Sequence, residues 1–257
     1  RTLDFLVRRV ETSQKLQIVV YDVSAEELAA DLSAQDDLCQ TGLYSLLVEQ
    51  PQLDEQDGPF SVFIGTYTFE QTPPHAELLA RVARLAAAAE APFVAAIGTD
   101  CITTKTDDLH PLVSQAWDAL RSMPECAYLS LVTPRFMLRV PYGAKGEPIE
   151  SFAFEEFNDK VGLRAFLWGN PAAVAAVLLA ETYNRMGERM MLGKIMSLGD
   201  MPFFFYTDRD GDQVGLPSTE RLLSERGSAH LTAQNFTPLL SIKGRPEVRL
   251  GSFQSLG

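Results

Sequence analysis

The sequence predicts an α/β fold, a mixed β-sheet flanked by helices. Three observations carry this expectation. Runs of β-branched and aromatic residues alternate with helical patterns along the first half of the chain. Those strand-like runs are rich in apolar β-formers, which points to a largely buried sheet. An apolar fraction of 46% over 257 residues is enough for one large core or two small ones. The order of the strands is not readable from this pattern.

Residues 15–23, K-L-Q-I-V-V-Y-D-V, read as a β-branched strand. Ser24 follows as an N-cap with Glu27 three residues on, the capping-box spacing, and opens a helix through Leu28 and Leu32. A second helical piece covers about 43–49, and the polar stretch 51–59 reads as a loop. Residues 60–69, F-S-V-F-I-G-T-Y-T-F, read as a buried strand. Thr72-Pro73-Pro74 opens an Ala-rich helix to about Glu90, with proline in its first turn. Residues 92–97 are a short buried strand, and 109–121 a helix carrying Trp117.

Residues 126–140 form a long extended region interrupted by Pro134, which marks an edge position or a break between two strands. Gly143, Gly146 and Pro148 make 142–150 a loop. Asn170-Pro171 starts a strongly apolar helix to about Met186. Beyond Gly193 come short strands, turns and one helix near 227–235, with a hairpin-turn signal at 207–212. No repeat and no linker divides the chain, so 1–257 reads as one unit without an internal boundary.

The net charge of −12 argues against a protein that grips phosphate backbones, so no nucleic acid is expected. It argues equally against a polybasic membrane-surface binder. The longest apolar runs, 85–89 and 171–180, fall far short of the roughly 20 residues of a membrane span, so no membrane insertion is expected. The chain opens at Arg1 without Met and lacks a signal peptide's apolar region and cleavage site. It reads as a chain that has lost its natural beginning. Cys39, Cys101 and Cys126 are too widely spaced for a zinc ribbon or a redox pair. Sparse, odd-numbered cysteines fit a reducing compartment, with the thiols in or near the core.

Candidate chemistry is thin. Asp208-x-Asp210-Gly211-Asp212 fails the EF-hand spacing, since Gly211 precedes the third carboxylate and Thr219 occupies position twelve, so a solvated hairpin tip is expected. Gly193-Lys194 fails the phosphate-loop spacing, because Gly187 is six residues back and Ile195 replaces the hydroxyl. His75, His110 and His230 form no zinc or nucleophile motif and read as surface histidines. Arg135 and Arg139 flank Phe136-Met137-Leu138, four apart on an extended segment and therefore on one face. They would bind an anion or pair with acidic groups of a neighbouring subunit. No catalytic, cofactor-binding or metal residue is assigned.

Several segments, in order, resemble the large sheath subunit of type VI secretion systems, the TssC/VipB family. Residues 1–7 are similar to its R-G-L-x-Y-L-V segment. Ser24-Ala25-Glu26-Glu27-Leu28 and Asp31-Leu32 match its S-x-x-E-L…D-L helix. Gly58-Pro59-Phe60 through Ile64-Gly65-Thr66-Tyr67-Thr68-Phe69 matches G-x-P-F…I-G-D-Y-x-F, with Thr66 in place of Asp, and Ala91-Pro92-Phe93 follows. The most specific part is Trp117, Leu120-Arg121, Glu125, Tyr128 and then T-P-R-F-M-L-R-V-P-Y-G over 133–143. Phe154-Glu155-Glu156, Leu167-Trp168-Gly169-Asn170, Phe236-Thr237-Pro238-Leu239 and Gln254-Ser255-Leu256 continue it. The family's glycine-rich stretch before the hairpin is reduced to Gly193 and Gly199, and family members are nearly twice as long.

The resemblance implies a contractile-tail-sheath-like core and a structural, non-enzymatic, cofactor-free subunit of a bacterial cytoplasmic sheath. It implies as partners a small sheath subunit (TssB/VipA-like) adding strands to a shared sheet, other sheath large subunits, an inner tube protein and a recycling AAA+ ATPase. Two alternatives stay open: a sheath-like accessory or regulatory protein that does not polymerise, and an α/β hydrolase or nucleotide-binding enzyme.

Overall fold

The computed structural model describes residues 1–11, 16–56, 58–104, 108–143, 148–150, 152–158, 162–207 and 211–257. The chain opens with a helix, α1 (Thr2–Arg9), which carries its one buried side chain, Leu6. Then follow α2 (Ala25–Ala34), α3 (Gly42–Tyr44), a π turn (Ser45–Glu49) and α4 (Gln50–Leu53). The strand-and-helix succession is β1 (Phe63–Phe69), α5 (Pro73–Ala88), β2 (Phe93–Ile97), α6 (Pro111–Arg121) and β3 (Leu129–Thr133). Next come β4 (Phe136–Arg139), β5 (Leu167–Gly169), α7 (Ala172–Met186), β6 (Ser197–Leu198), β7 (Phe204–Thr207) and β8 (Gln213–Leu216). The chain closes with α8 (Glu225–Ala233), β9 (Thr237–Ser241) and β10 (Val248–Leu250).

The main sheet has six strands in the order β1-β2-β3-β9-β10-β6. β1, β2, β3 and β9 pair in parallel, whereas β10 runs antiparallel to both β9 and β6. The sheet is therefore mixed, as expected. Its side chains divide by the two-residue period of a strand. Phe93, Ala95, Ile97, Leu129 and Leu131 enter one core with Leu28 and Leu32 of α2, Leu79 and Val82 of α5, Trp117 of α6 and Leu231 of α8. Val94 and Val132 point the other way, into a core built by Leu6 and Val10 of α1 and the buried α7. Helices thus cover both faces, which is why β2 and β3 are buried at every position, the polar Ser130 and Thr133 of β3 included.

Beyond the ends of the parallel strands, β4–β5 and β7–β8 enclose a third, aromatic cluster of Met137, Phe166 and Phe204. The Phe157 ring lies 5.6, 5.1 and 5.0 Å from those of Phe166, Phe204 and Tyr206. Pro134 is the break between two strands, each in a different sheet. The hairpin signal at 207–212 is flanked by paired strands, although Asp208, Arg209 and Asp210 themselves lie outside the described residues. Gly146 of the expected loop also lies outside them.

Three local expectations need correction. The strand expected over 15–23 does not form: Lys15 lies outside the described residues, Leu16 makes a single isolated bridge, and 17–23 joins no ladder among the described residues. β-propensity produces a strand only where a partner strand stands alongside. The helical piece continues past the expected loop start at Pro51 as far as Leu53. Gln50 N donates to Ser45 O, a π-type bond that precedes the proline lacking its own N–H. Cys39 is exposed rather than in or near the core.

Candidate interaction surfaces

The titratable residues singled out from sequence serve local structure. His75 Nδ1 accepts from Glu70 N (2.8 Å), and His110 Nδ1 accepts from Leu112 N (3.3 Å) as the cap of α6. His230 Nε2 lies 3.1 Å from Thr104 O and 2.7 Å from Gln234 Nε2. His110 is exposed, whereas His75 and His230 are half-buried rather than on the open surface. Burial pushes the Cys101 thiol up to about 12 and that of Cys126 to about 11, which leaves both protonated at neutral pH. Cys101 and Cys126 donate to Gly98 O (3.0 Å) and Leu120 O (2.8 Å). Among the described residues no three His, Cys, Asp or Glu side chains converge as a metal site. Gly193-Lys194 sits in a turn ahead of β6, not at a helix N-terminus.

Arg135 and Arg139 both have carboxylate partners in this same chain. Arg135 donates from Nε (2.9 Å) and Nη2 (2.6 Å) to Glu220 Oε2, and its backbone N–H reaches Oε1 at 3.1 Å. Arg139 donates to both oxygens of Glu156, at 2.7 and 3.0 Å, and to Val140 O. Its guanidinium lies 4.0 Å from the Tyr142 ring centroid. The hydrogen bonds from Arg139, and the Tyr142 N–H behind them, hold the Glu156 carboxyl below the usual carboxylate range. Arg135 precedes β4, and the register shifts between Met137 and Arg139, so the regular spacing that would align the two is broken. They are ties within the fold, not a shared anion site.

What remains on the surface is geometry for association. β1 is an edge strand seven residues long. The Asn170 side chain donates to Tyr67 O (2.9 Å), which occupies one acceptor of that edge. Residues 17–23 run without helix, turn or bend, with Val19, Val20 and Tyr21 exposed. They are tethered by the Tyr67 hydroxyl, which donates to Val23 O (2.7 Å). Charge is also lopsided. Residues 11–100 hold 15 of the 34 carboxylates and only 3 of the 22 cations, so the whole net −12 resides there. This stretch builds α2 through α5, β1 and β2. Composition alone hides this polarity; a windowed charge count exposes it.

Among the described residues no helix is long and apolar enough to cross a membrane. The family model described as EvpB/VC_A0108, tail sheath N-terminal domain (VipB), matches residues 1–257. The type VI secretion system sheath protein TssC1 of Pseudomonas aeruginosa is 31% identical over 273 aligned residues, which cover 100% of this chain and 55% of that protein. The chain thus spans about half the length of the curated relative it matches.

Proposed function

The chain belongs to the VipB family of type VI tail sheath proteins, and from that premise we propose that it is a structural subunit of a contractile sheath in the cytoplasm. In this reading all 257 residues act as one unit. It assembles with a small sheath subunit and with further large subunits around an inner tube, and contraction of the assembly ejects that tube. A AAA+ ATPase then recycles the contracted form. Such a machine needs no active site, because its work is stored in one packing of subunits and released in another.

One observation of the structure supports this reading above the rest. Residues 17–23 are rich in β-formers and join no ladder among the described residues, with Val19, Val20 and Tyr21 exposed while Ile18 and Val23 pack inward. Soluble proteins ordinarily blunt such segments, because unpaired N–H and C=O groups recruit other chains. Strand addition by a partner would satisfy them and bury Val19, Val20 and Tyr21.

The test is electron microscopy after co-expression with a small sheath subunit, for this chain and for a version extended to its relatives' length. Tubules from either support the reading, and none from both overturns it. The substitution Val20→Pro removes one backbone donor from the exposed strip. It should abolish tubules while leaving the melting temperature of the isolated chain unchanged. Tubules undiminished by that substitution would remove the strip from the assembly.

A further inference from the structure

Two small apolar patches sit at opposite poles of the molecule. The first is an aromatic knuckle. Phe152 and Phe154 are 60% and 41% exposed, with their rings edge-on at 5.9 Å. The chain after them is clamped, because Glu156 holds Arg139 and Tyr142 N, and Phe157 fills the aromatic cluster. The knuckle therefore projects from an anchored base. Glu150 and Glu155 are exposed beside it.

The second patch is the turn after α7. Met191 and Leu192 are 56% and 63% exposed, and Lys194 N donates to Met191 O (3.3 Å) to close the turn. Arg189 and Lys194 are exposed around it, with Glu188 the single acid in 185–194, and Arg185 nearby pairs with Glu181 at 3.8 Å. Apolar character and charge sign are thus matched between the patches: acid-flanked aromatics on one, base-flanked aliphatics on the other. Met and Phe are among the residues enriched at protein interfaces, and flanking charges of opposite sign select partner and register.

Topology separates the two. The knuckle belongs to the lobe of β4 and β5, reached from the C-terminal end of β3 through Pro134. α7 starts immediately after β5 and runs back along the sheet for 15 residues, roughly 22 Å. Its end delivers the turn at 191–194 just ahead of β6, which runs parallel to β9 and β3. The turn is therefore at the pole where the parallel strands begin, and the knuckle at the pole where they end. One molecule cannot join its own two patches, but successive molecules can.

We propose that the Phe152–Phe154 knuckle of one copy docks on the Met191–Leu192 turn of the next, a head-to-tail contact between copies of this chain. The proposal rests on the sheath reading for its repetition: a heterologous contact that does not close makes a helical filament. The contact is small and depends on its four apolar side chains, with the flanking charges setting direction.

The test is directed cross-linking in a Cys39→Ser background, which removes the exposed native thiol. One chain carries Phe152→Cys and the other Leu192→Cys. Mixed and mildly oxidised, they should form a covalent dimer in several-fold higher yield than either alone. Adding Arg189→Glu and Lys194→Glu to the second chain should lower the yield, and Glu150→Lys in the first should restore it. A mixed yield no higher than that of the single chains, or a yield indifferent to charge reversal, overturns the contact. Tubules formed with the small subunit by a Phe152→Ser, Phe154→Ser chain would preserve the sheath reading and overturn this contact. A charge-dependent cross-link without tubules would do the reverse. All the substituted positions are exposed, so circular dichroism and melting should be unchanged in every variant.

Discussion

Arg139 grips both carboxylate oxygens of Glu156, at 2.7 and 3.0 Å, and Glu156 in turn accepts the Tyr142 N–H at 2.9 Å. This one carboxylate fastens the end of β4 to a segment 17 residues further on. The planar fork of arginine suits this bidentate geometry and the stacking on Tyr142, and an ammonium does not. Arg139→Lys should therefore cost about 1–2 kcal/mol in a denaturation midpoint despite keeping the charge. A loss as small as that of an exposed pair would contradict this.

The same pair predicts an acid dependence. The folded carboxyl of Glu156 titrates below its ordinary 4.5. Its contribution is therefore full above the unfolded-state value and is lost as pH falls through the depressed folded value. The melting-temperature gap between wild type and Glu156→Gln should be constant near neutrality and close in acid below about 4.5. A gap that persists at pH 2 would show that it does not come from the charge.

Gly169 faces Phe136 across the β4–β5 ladder with no room for a methyl group. A Cβ there would stand 2.8 Å from both Phe136 Cζ and Leu138 Cγ. Gly169→Ala should destabilise by about 1–3 kcal/mol, the range for overpacked cores. Urea unfolding reads this as a lowered midpoint at constant slope.

Thiol titration separates the cysteines. Cys39 is exposed, whereas Cys101 and Cys126 are buried with raised thiol pKa values. An aromatic disulfide reagent at pH 8 should consume Cys39 quickly and the other two only after denaturation. Fast reaction of all three in the native protein would place the sheet-flanking helices wrongly.

Assembly should weaken with salt. The net −12 of residues 11–100 requires a basic counterpart at any contact that covers them. Between about 50 mM and about 1 M NaCl the screening length shrinks severalfold. Sedimentable assembly should fall across that range, and an unchanged amount would show that the acidic face is not in the contacts.

The features read correctly from sequence are those determined within a few residues. Ser24 Oγ accepts from Glu27 N (3.1 Å), and Glu27 Oε2 accepts from Ser24 N (2.8 Å), the reciprocal bonds of a capping box. Pro134 ends one strand before another begins because it cannot donate to a ladder. α7 was legible because its first nine residues, 172–180, are apolar on every side and must be buried. The misreadings fall where an outside partner decides. Residues 17–23 have the composition of a strand and join no ladder among the described residues. β5, only three residues long, is a strand because β4 lies beside it.

The same division holds for the candidate surfaces. The sequence by itself determined the α/β layering, the buried central strands and the family, because hydrophobic period, caps and motif order are local and additive along the chain. Only the tertiary structure decided that Arg135 and Arg139 are consumed by Glu220 and Glu156, which lie 85 and 17 residues away. It alone set the sheet order and placed 152–154 and 191–192 at opposite poles. Those facts depend on which distant segments share an edge or a cavity. Pairing across long loops is governed by packing of the whole chain and leaves no periodic trace in any one stretch of it.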